Sequence, residues 1–411
     1  MFKYRDYQKS IIRQGSKILN KHNLLYLAME VRTGKTFTSL GICAKIKAKN
    51  VLFITKKKAI SSIEDDFNTL NPGYKITVIN YESLHKISTD QHFNVIILDE
   101  AHSIGAYPKK NKRCLQIQSL ILIHNSKVIL LSGTPTPESY SQMYHQVCSI
   151  PGNPFSEYKN FYQFCKDYVD VKQRRINGLF MNDYTRGRDS ILKEMKPYTI
   201  SFSQKEAGFV VDTNEKVLWV DLEDSTKEMI KTLNKDRILR GSEEVVLADT
   251  PVKLMTKTHQ LCSGTVKFES GKSQIVDLSK AKFIYKNFSN KKIGIFYKFK
   301  EELNALKEVY KDELCTDLET FNSTNKTIAL QIVSGREGIS LRQAKALIYY
   351  NIDFSATSYW QSRDRMTTKD RLYNKIYWIF SKGGIEEDIY KAVIKKKDYT
   401  LNHFKRDSLN L

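Results

Sequence analysis

Cysteine is sparse and scattered in this chain. Its six residues, Cys43, Cys114, Cys148, Cys165, Cys262 and Cys315, include no Cys-x-x-Cys pair. Zinc sites and redox motifs need closer spacing, so these read as reduced core thiols. Glycine (18) and proline (8) are few, and there is no low-complexity tract, short-period repeat or long Gly/Ser linker. No apolar run approaches the ~20 residues that span a bilayer. The N-terminus, MFKYRDYQKS, lacks the apolar core and cleavage site of a secretory signal. These absences point to a cytoplasmic protein with no membrane partner. What is abundant is positive charge: 66 Lys and Arg against 45 Asp and Glu, a formal +21. Such an excess attracts phosphate polymers and makes their binding salt dependent; a lysine-rich surface set by an AT-rich genome is the plain alternative. At 411 residues and 41% hydrophobic, the chain is globular and long enough for two or three cores.

Short runs of Val, Ile and Leu recur along the first half: NLLYLA, VLFIT, KITVIN, NVIILDE and KVILLSG. Runs with little alternation are the pattern of strands buried on both faces, and hence of a parallel sheet covered by helices. Helical patterns such as TFTSLGICAKIKA and AISSIEDDFNTL lie between them, so the expected class is an open α/β fold. Residues 138–197 are rich in Tyr, Phe, Lys and Arg and read as a mostly helical insertion. A second α/β series follows, with KKIGIFYK, TIALQIVS, ALIYYN and KIYWIF. In the last segment Ile385, Ile389 and Val393 share one helical face. The expected division is 1–205 and 206–411, the latter with a helical protrusion or linker at about 223–265 and a C-terminal helix at 385–397.

Two elements carry chemistry. MEVRTGKT, residues 29–36, follows a strand-like run and precedes a helical one. In that context backbone N–H groups at the helix start converge on phosphates, Lys35 adds a point charge, and the Thr36 hydroxyl can ligate Mg²⁺. Gly34 leaves the backbone open to that approach. A chance Gly-Lys-Thr on a helix is the bland reading. NVIILDEAH, residues 94–102, ends a buried strand with Asp99 and Glu100. An Asp there can hold Mg²⁺ and the next carboxylate can orient or deprotonate a water, although acidic turns after strands are common.

Taken in order, these motifs make the sequence resemble superfamily II helicases, within them the Swi/Snf group of DEAH-box double-stranded DNA translocases. The resemblance covers nearly the whole chain. YRDYQ at 4–8 is similar to the adenine-reading motif, with Gln8 as the base-reading amide and Arg5 beside it. VLFITKKKAISSIEDDF and VINYESL resemble two DNA-contacting motifs, and SGTPTP at 132–137 the motif coupling hydrolysis to domain movement. SGK at 270–272 and IGIFYKFKEEL match entry into a second core. SGREGISL at 334–341 resembles the glycine-rich fifth motif, and NIDFSATSYWQSRDRM ends in the Gln-x-x-x-Arg of the sixth.

The resemblance implies two RecA-like domains with ATP in the cleft between them and duplex DNA along their top. It implies ATP contacts from Arg5, Gln8, Thr33, Gly34, Lys35, Thr36, Gly338 and Arg365. Catalysis falls to Lys35, Asp99, Glu100 and the arginine finger Arg365, with Mg²⁺ held through the nucleotide by Thr36 and Asp99. Coupling falls to His102, Ser132, Thr134 and Gln361. Sequence-independent contacts to the DNA backbone are implied for Thr55, Lys56, Tyr81, Ser83, Lys298, Ser334 and Trp360. The basic run PKKNKR at 108–113 directly follows the DEAH strand; its position and charge suit a DNA-facing loop, with an ordinary solvated loop as the plain alternative.

The sequence also departs from the group. Arg32 and Thr33 occupy loop positions usually Gly and bulky apolar, Arg336 replaces a Gly, and Ile63 lies where a tryptophan is usual. The second arginine of the sixth motif is Thr368, with Lys369 and Arg371 nearby. The compact length resembles small viral or phage members, which implies bacterial or phage-infected host cytoplasm. The expected activity is ATP hydrolysis driving movement on double-stranded DNA in replication, recombination or repair. Three other readings stand beside it: a nucleotide-gated DNA clamp with little turnover, a helicase unwinding single-strand DNA or RNA, and a basic structural DNA-binding protein without nucleotide. A protein partner on residues 138–197 stays open.

Overall fold

The computed structural model describes residues 3–88, 91–176, 179–208, 212–241, 243–335, 339–367, 371 and 373–394. The chain falls into two compact units, Met1–Phe209 and Val210–Leu411.

The first unit is built on β1 (Leu24–Met29), β2 (Asn50–Thr55), β3 (Lys75–Asn80), β4 (Val95–Asp99) and β5 (Lys127–Leu131). With the strand Thr199–Phe202 they form a six-stranded sheet in the order β3-β2-β4-β5-β1-(199–202), parallel throughout. Leu25, Leu27, Phe53 and Ile97 pack under α1 (Asp6–His22), α2 (Lys35–Lys45) and α3 (Ile60–Leu70), while Tyr26, Leu52, Ile54 and Leu98 pack on the opposite side with α4 (Lys112–His124). Burial on both faces is why these strands read as continuous apolar runs.

The second unit repeats the plan. Its six strands run in the order Leu314–Cys315, Thr327–Gln331, Ile293–Tyr297, Ala346–Tyr349, Tyr373–Ser381, Asp212–Val220, again all parallel. Helices Ser279–Phe288 and Lys300–Tyr310 cover one face; Asp224–Asp236, Pro251–Cys262 and Glu386–Ile394 cover the other. Ile385, Ile389 and Val393 are buried there, as their spacing predicts.

Residues 138–197 depart from the helical expectation. They carry only short helices (Met143–Val147, Phe161–Tyr168, Ser190–Met195) and an antiparallel ribbon pairing Lys172–Ile176 with Leu179–Asp183. The sequence held the signal: Asn177-Gly178 between two alternating runs is a strong hairpin turn, and the aromatic richness of the flanks obscured it. Residues 223–265 are likewise not purely helical, since Ile238–Arg240 pairs with Val245–Leu247.

Candidate nucleotide-binding site

At the end of β1 the chain turns through Arg32 (φ 65°) and Gly34 (φ 80°) into α2. The left-handed backbone calls for glycine at Gly34, and an added Cβ, 2.5 Å from Gln8 Nε2, would have to displace that amide. The Lys35 ammonium donates to the Met29 carbonyl at 3.0 Å and stands beside Gly133, whose added Cβ would lie 3.4 Å from it. The SGT loop after β5 and the Lys35 loop after β1 thus meet.

The N-terminal helix braces this loop. Gln8 is buried; its Oε1 accepts from the Arg5 N–H at 3.0 Å, and its Nε2 donates to the Gly34 carbonyl at 3.4 Å. Both ends of the expected base-reading amide are therefore held by backbone. The Tyr7 hydroxyl donates to the Thr33 carbonyl at 3.1 Å and receives the Arg5 guanidinium at 2.9 Å, while its ring stacks on Phe202 at 4.6 Å. Thr33 is buried and its hydroxyl caps the Glu30 carbonyl at 2.7 Å. Sequence reasoning missed Tyr7, Phe202 and Gln204, whose backbone N–H donates to the Glu30 carboxylate and whose amide donates to the Val31 carbonyl. Only YRDYQ itself signalled Tyr7.

Asp99 ends β4, beside β2. Ile54 pairs with Leu98, so the next residues, Thr55 and Asp99, leave the sheet side by side. The Thr55 hydroxyl donates to Asp99 Oδ2 at 2.8 Å, and the Tyr81 hydroxyl donates to the Asp99 carbonyl at 2.5 Å. Both Thr55 and Tyr81, expected as DNA contacts, are buried, and their hydroxyls are engaged by Asp99. Burial, then the adjacent Glu100, push the Asp99 carboxyl up to about 6, against the opposing pulls of Lys35 and the Thr55 hydroxyl. A buried acid so perturbed beside a second carboxylate is suited to a cation, which would favour its charged form.

Glu100 adopts a left-handed conformation (φ 50°). Its Oε2 lies 3.4 Å from His102 Nδ1, which is 3.0 Å from Ser132 Oγ; that hydroxyl accepts from the Thr134 N–H at 3.1 Å. The three groups expected to couple hydrolysis to motion form one chain from Glu100 into the SGT loop.

Of the remaining expected DNA contacts, Lys56 and Ser83 are partly exposed. The Lys298 ammonium pairs with Asp353 at 2.9 Å, both side chains being 15% exposed, and sits over the Phe354 ring at 4.0 Å. That charge is already neutralised inside the second unit. In the PKKNKR loop, Arg113 pairs with Glu82 at 2.5 Å and Asn111 caps α4. Arg365 is partly buried and donates to the Ile339 carbonyl at 3.3 Å. Arg336, Gly338, Thr368 and Lys369, and the side chains of Ser334, Trp360 and Gln361, lie outside the described residues.

A parallel α/β domain whose first strand runs through a Gly-Lys-Thr turn into a helix, next to a half-buried Asp-Glu pair, has the constituents of a phosphate-loop domain. The chain belongs to the SNF2-related domain family, whose profile matches residues 13–267. A protein of Caenorhabditis elegans, the SWI/SNF-related matrix-associated actin-dependent regulator of chromatin subfamily A-like protein 1 homolog, is 25% identical over 182 residues, 38% of this chain and 26% of that protein. The CHD3-type chromatin-remodeling factor CHR7 of Arabidopsis thaliana is 20% identical over 93% of this chain and 36% of its own length. The chain therefore spans about a third or less of these curated relatives. Among solved structures, the Sulfolobus solfataricus SWI2/SNF2 ATPase core in complex with dsDNA is similar over 96% of this chain and 91% of its own, at 14% identity and a TM-score of 0.45. No helix among the described residues is long and apolar enough to cross a membrane.

Proposed function

We propose that this chain hydrolyses ATP and uses the energy to move along double-stranded DNA, in replication, recombination or repair. The observation that supports this most is the half-buried Asp99, its carboxylate bonded by Thr55 and its carbonyl by Tyr81, and felt by both Lys35 and Glu100. Lys35 balances phosphate charge and the α2 N-terminus offers its backbone N–H groups to the phosphates. Glu100 orients the attacking water and accepts its proton. Mg²⁺, held by the Thr36 hydroxyl and Asp99, would supply charge neutralisation on the phosphates. Arg5, Tyr7 and Gln8 border the loop on the side assigned to adenine. Arg365 is assigned the second cation, a role typically worth ~10³ to 10⁵ in rate. His102, Ser132 and Thr134 transmit the state of Glu100 to the SGT loop. Lys56, Ser83, Ser334 and Trp360 remain the assigned backbone contacts.

The clamp reading keeps one supporting observation. Arg365 donates to the Ile339 carbonyl of its own unit, and Thr368 stands at the second arginine's offset. The test is phosphate release with duplex DNA, single-stranded DNA, RNA and no nucleic acid at one salt concentration, compared with Glu100→Gln. Duplex-stimulated release that the variant loses, with nucleotide binding retained, is the expected result. Equal slow rates in both proteins would favour the clamp, and stimulation by RNA alone would overturn the substrate.

A further inference from the structure

In the ribbon of strands Lys172–Ile176 and Leu179–Asp183, none of the described side chains joins the core. Its root is fixed: Val169 is buried and bridges Gly187, the Asp170 N–H donates to the Arg186 carbonyl at 2.9 Å, and Arg188 pairs with Asp170 at 2.7 Å. The root also docks just beyond the SGTPTP loop. Ser141 Oγ donates to the Tyr184 carbonyl at 2.7 Å, and a Cβ on Gly187 would meet the Ser141 nitrogen at 2.5 Å. From there five paired residues per strand extend roughly 15 Å. Along that length Phe180 is 71% and Met181 55% exposed, so these two apolar side chains are spent on solvent.

Its cations are as exposed as its apolar groups. Lys172, Arg175 and Arg186 are exposed, with the Arg175 guanidinium over the Phe180 ring at 6.0 Å. Asp183 is the one acid between 171 and 188 against five Lys and Arg. A rigidly rooted two-stranded ribbon bearing cations and a partly uncovered aromatic matches a duplex groove, whose width admits such a ribbon, flanked by phosphates that cations position.

We propose that this ribbon is a further DNA-contacting element: Lys172, Arg175 and Arg186 engage phosphates while Phe180 and Met181 lie against the apolar sugar and base edges. The assignment rests on the duplex-DNA reading above. Through Ser141 the ribbon and the SGT segment would move together, so grip would follow the hydrolysis state.

The test uses the full chain and a short fluorescent duplex of mixed sequence, with affinity measured between about 50 and 200 mM salt. Each lost phosphate contact makes log K against log salt shallower by roughly 0.9. Lys172→Ala/Arg175→Ala should therefore flatten the slope by roughly 2 and weaken binding at least tenfold at low salt, with DNA-free ATPase unchanged. Phe180→Ala should weaken binding several-fold at unchanged slope. A wild-type slope in the double variant, or a change in self-association without a change in DNA affinity, overturns the ribbon's role while duplex stimulation of the parent chain leaves the proposed function standing. If the parent chain neither binds nor is stimulated by duplex, the functional reading fails and this inference with it.

Discussion

Thr55→Val separates the two roles open to this residue. The substitution keeps size and β-branching, so the buried end of β2 loses only a hydroxyl. That hydroxyl donates to a carboxylate at 2.8 Å, and a bond of this kind is worth about 1.5–3 kcal/mol. At about 1.4 kcal/mol per pH unit, its loss raises the Asp99 carboxyl, which stands at about 6 in the cation-free protein, by roughly one to two pH units, and the acid limb of Mg²⁺-dependent phosphate release moves upward with it. Near pH 7 and subsaturating Mg²⁺ the rate should fall roughly two- to tenfold for a shift of one to two units, and added base or Mg²⁺ should restore it. Stability moves with it. The raised carboxyl means that the folded chain without cation retains a proton the unfolded chain releases. That stability is complete below pH 3.8 and is lost as pH rises through about 6. In the variant the loss extends to higher pH, which urea midpoints across pH 4–8 would record. Duplex affinity without nucleotide should stay within about twofold, since a buried hydroxyl touches no DNA. An unmoved acid limb together with weakened DNA binding would refute this reasoning and restore Thr55 as a DNA contact.

Gly34→Ala places a methyl against Gln8 at φ 80°; the left-handed backbone alone costs about 1–2 kcal/mol. Nucleotide-analogue binding should drop more than tenfold with a modest loss of stability, and normal binding would show that the loop does not need this geometry. Lys280→Met breaks a pair to Glu386 at 2.6 Å in which both side chains are buried. Leaving one buried charge uncompensated should cost about 3–5 kcal/mol in urea unfolding. Lys280→Met/Glu386→Leu should recover most of it; a single-variant loss under about 1 kcal/mol would contradict the pairing.

The phosphate loop and the Asp-Glu pair were legible because their chemistry is local. A strand, a turn that needs glycine and a helix start all lie within ten residues. The parallel α/β class was legible for a similar reason, since burial on both faces writes itself into each strand. The fate of Thr55, Tyr81 and Lys298 was not. Each is polar and follows or lies near a strand end, as an exposed contact would be. Thr55 is brought to Asp99 by the pairing of β2 with β4, Tyr81 reaches the Asp99 carbonyl from beyond β3, and Lys298 is paired with an acid 55 positions later.

What the sequence determined by itself was the inventory: a basic chain, two α/β series and the residues able to handle a phosphate. Tertiary structure decided which of those groups face solvent and which serve the acid. It also showed that Lys172–Ile176 and Leu179–Asp183 pair as a ribbon with Phe180 uncovered. The division follows from range: turn and strand preferences act between neighbours, whereas burial and charge pairing depend on what strand order brings from far along the chain.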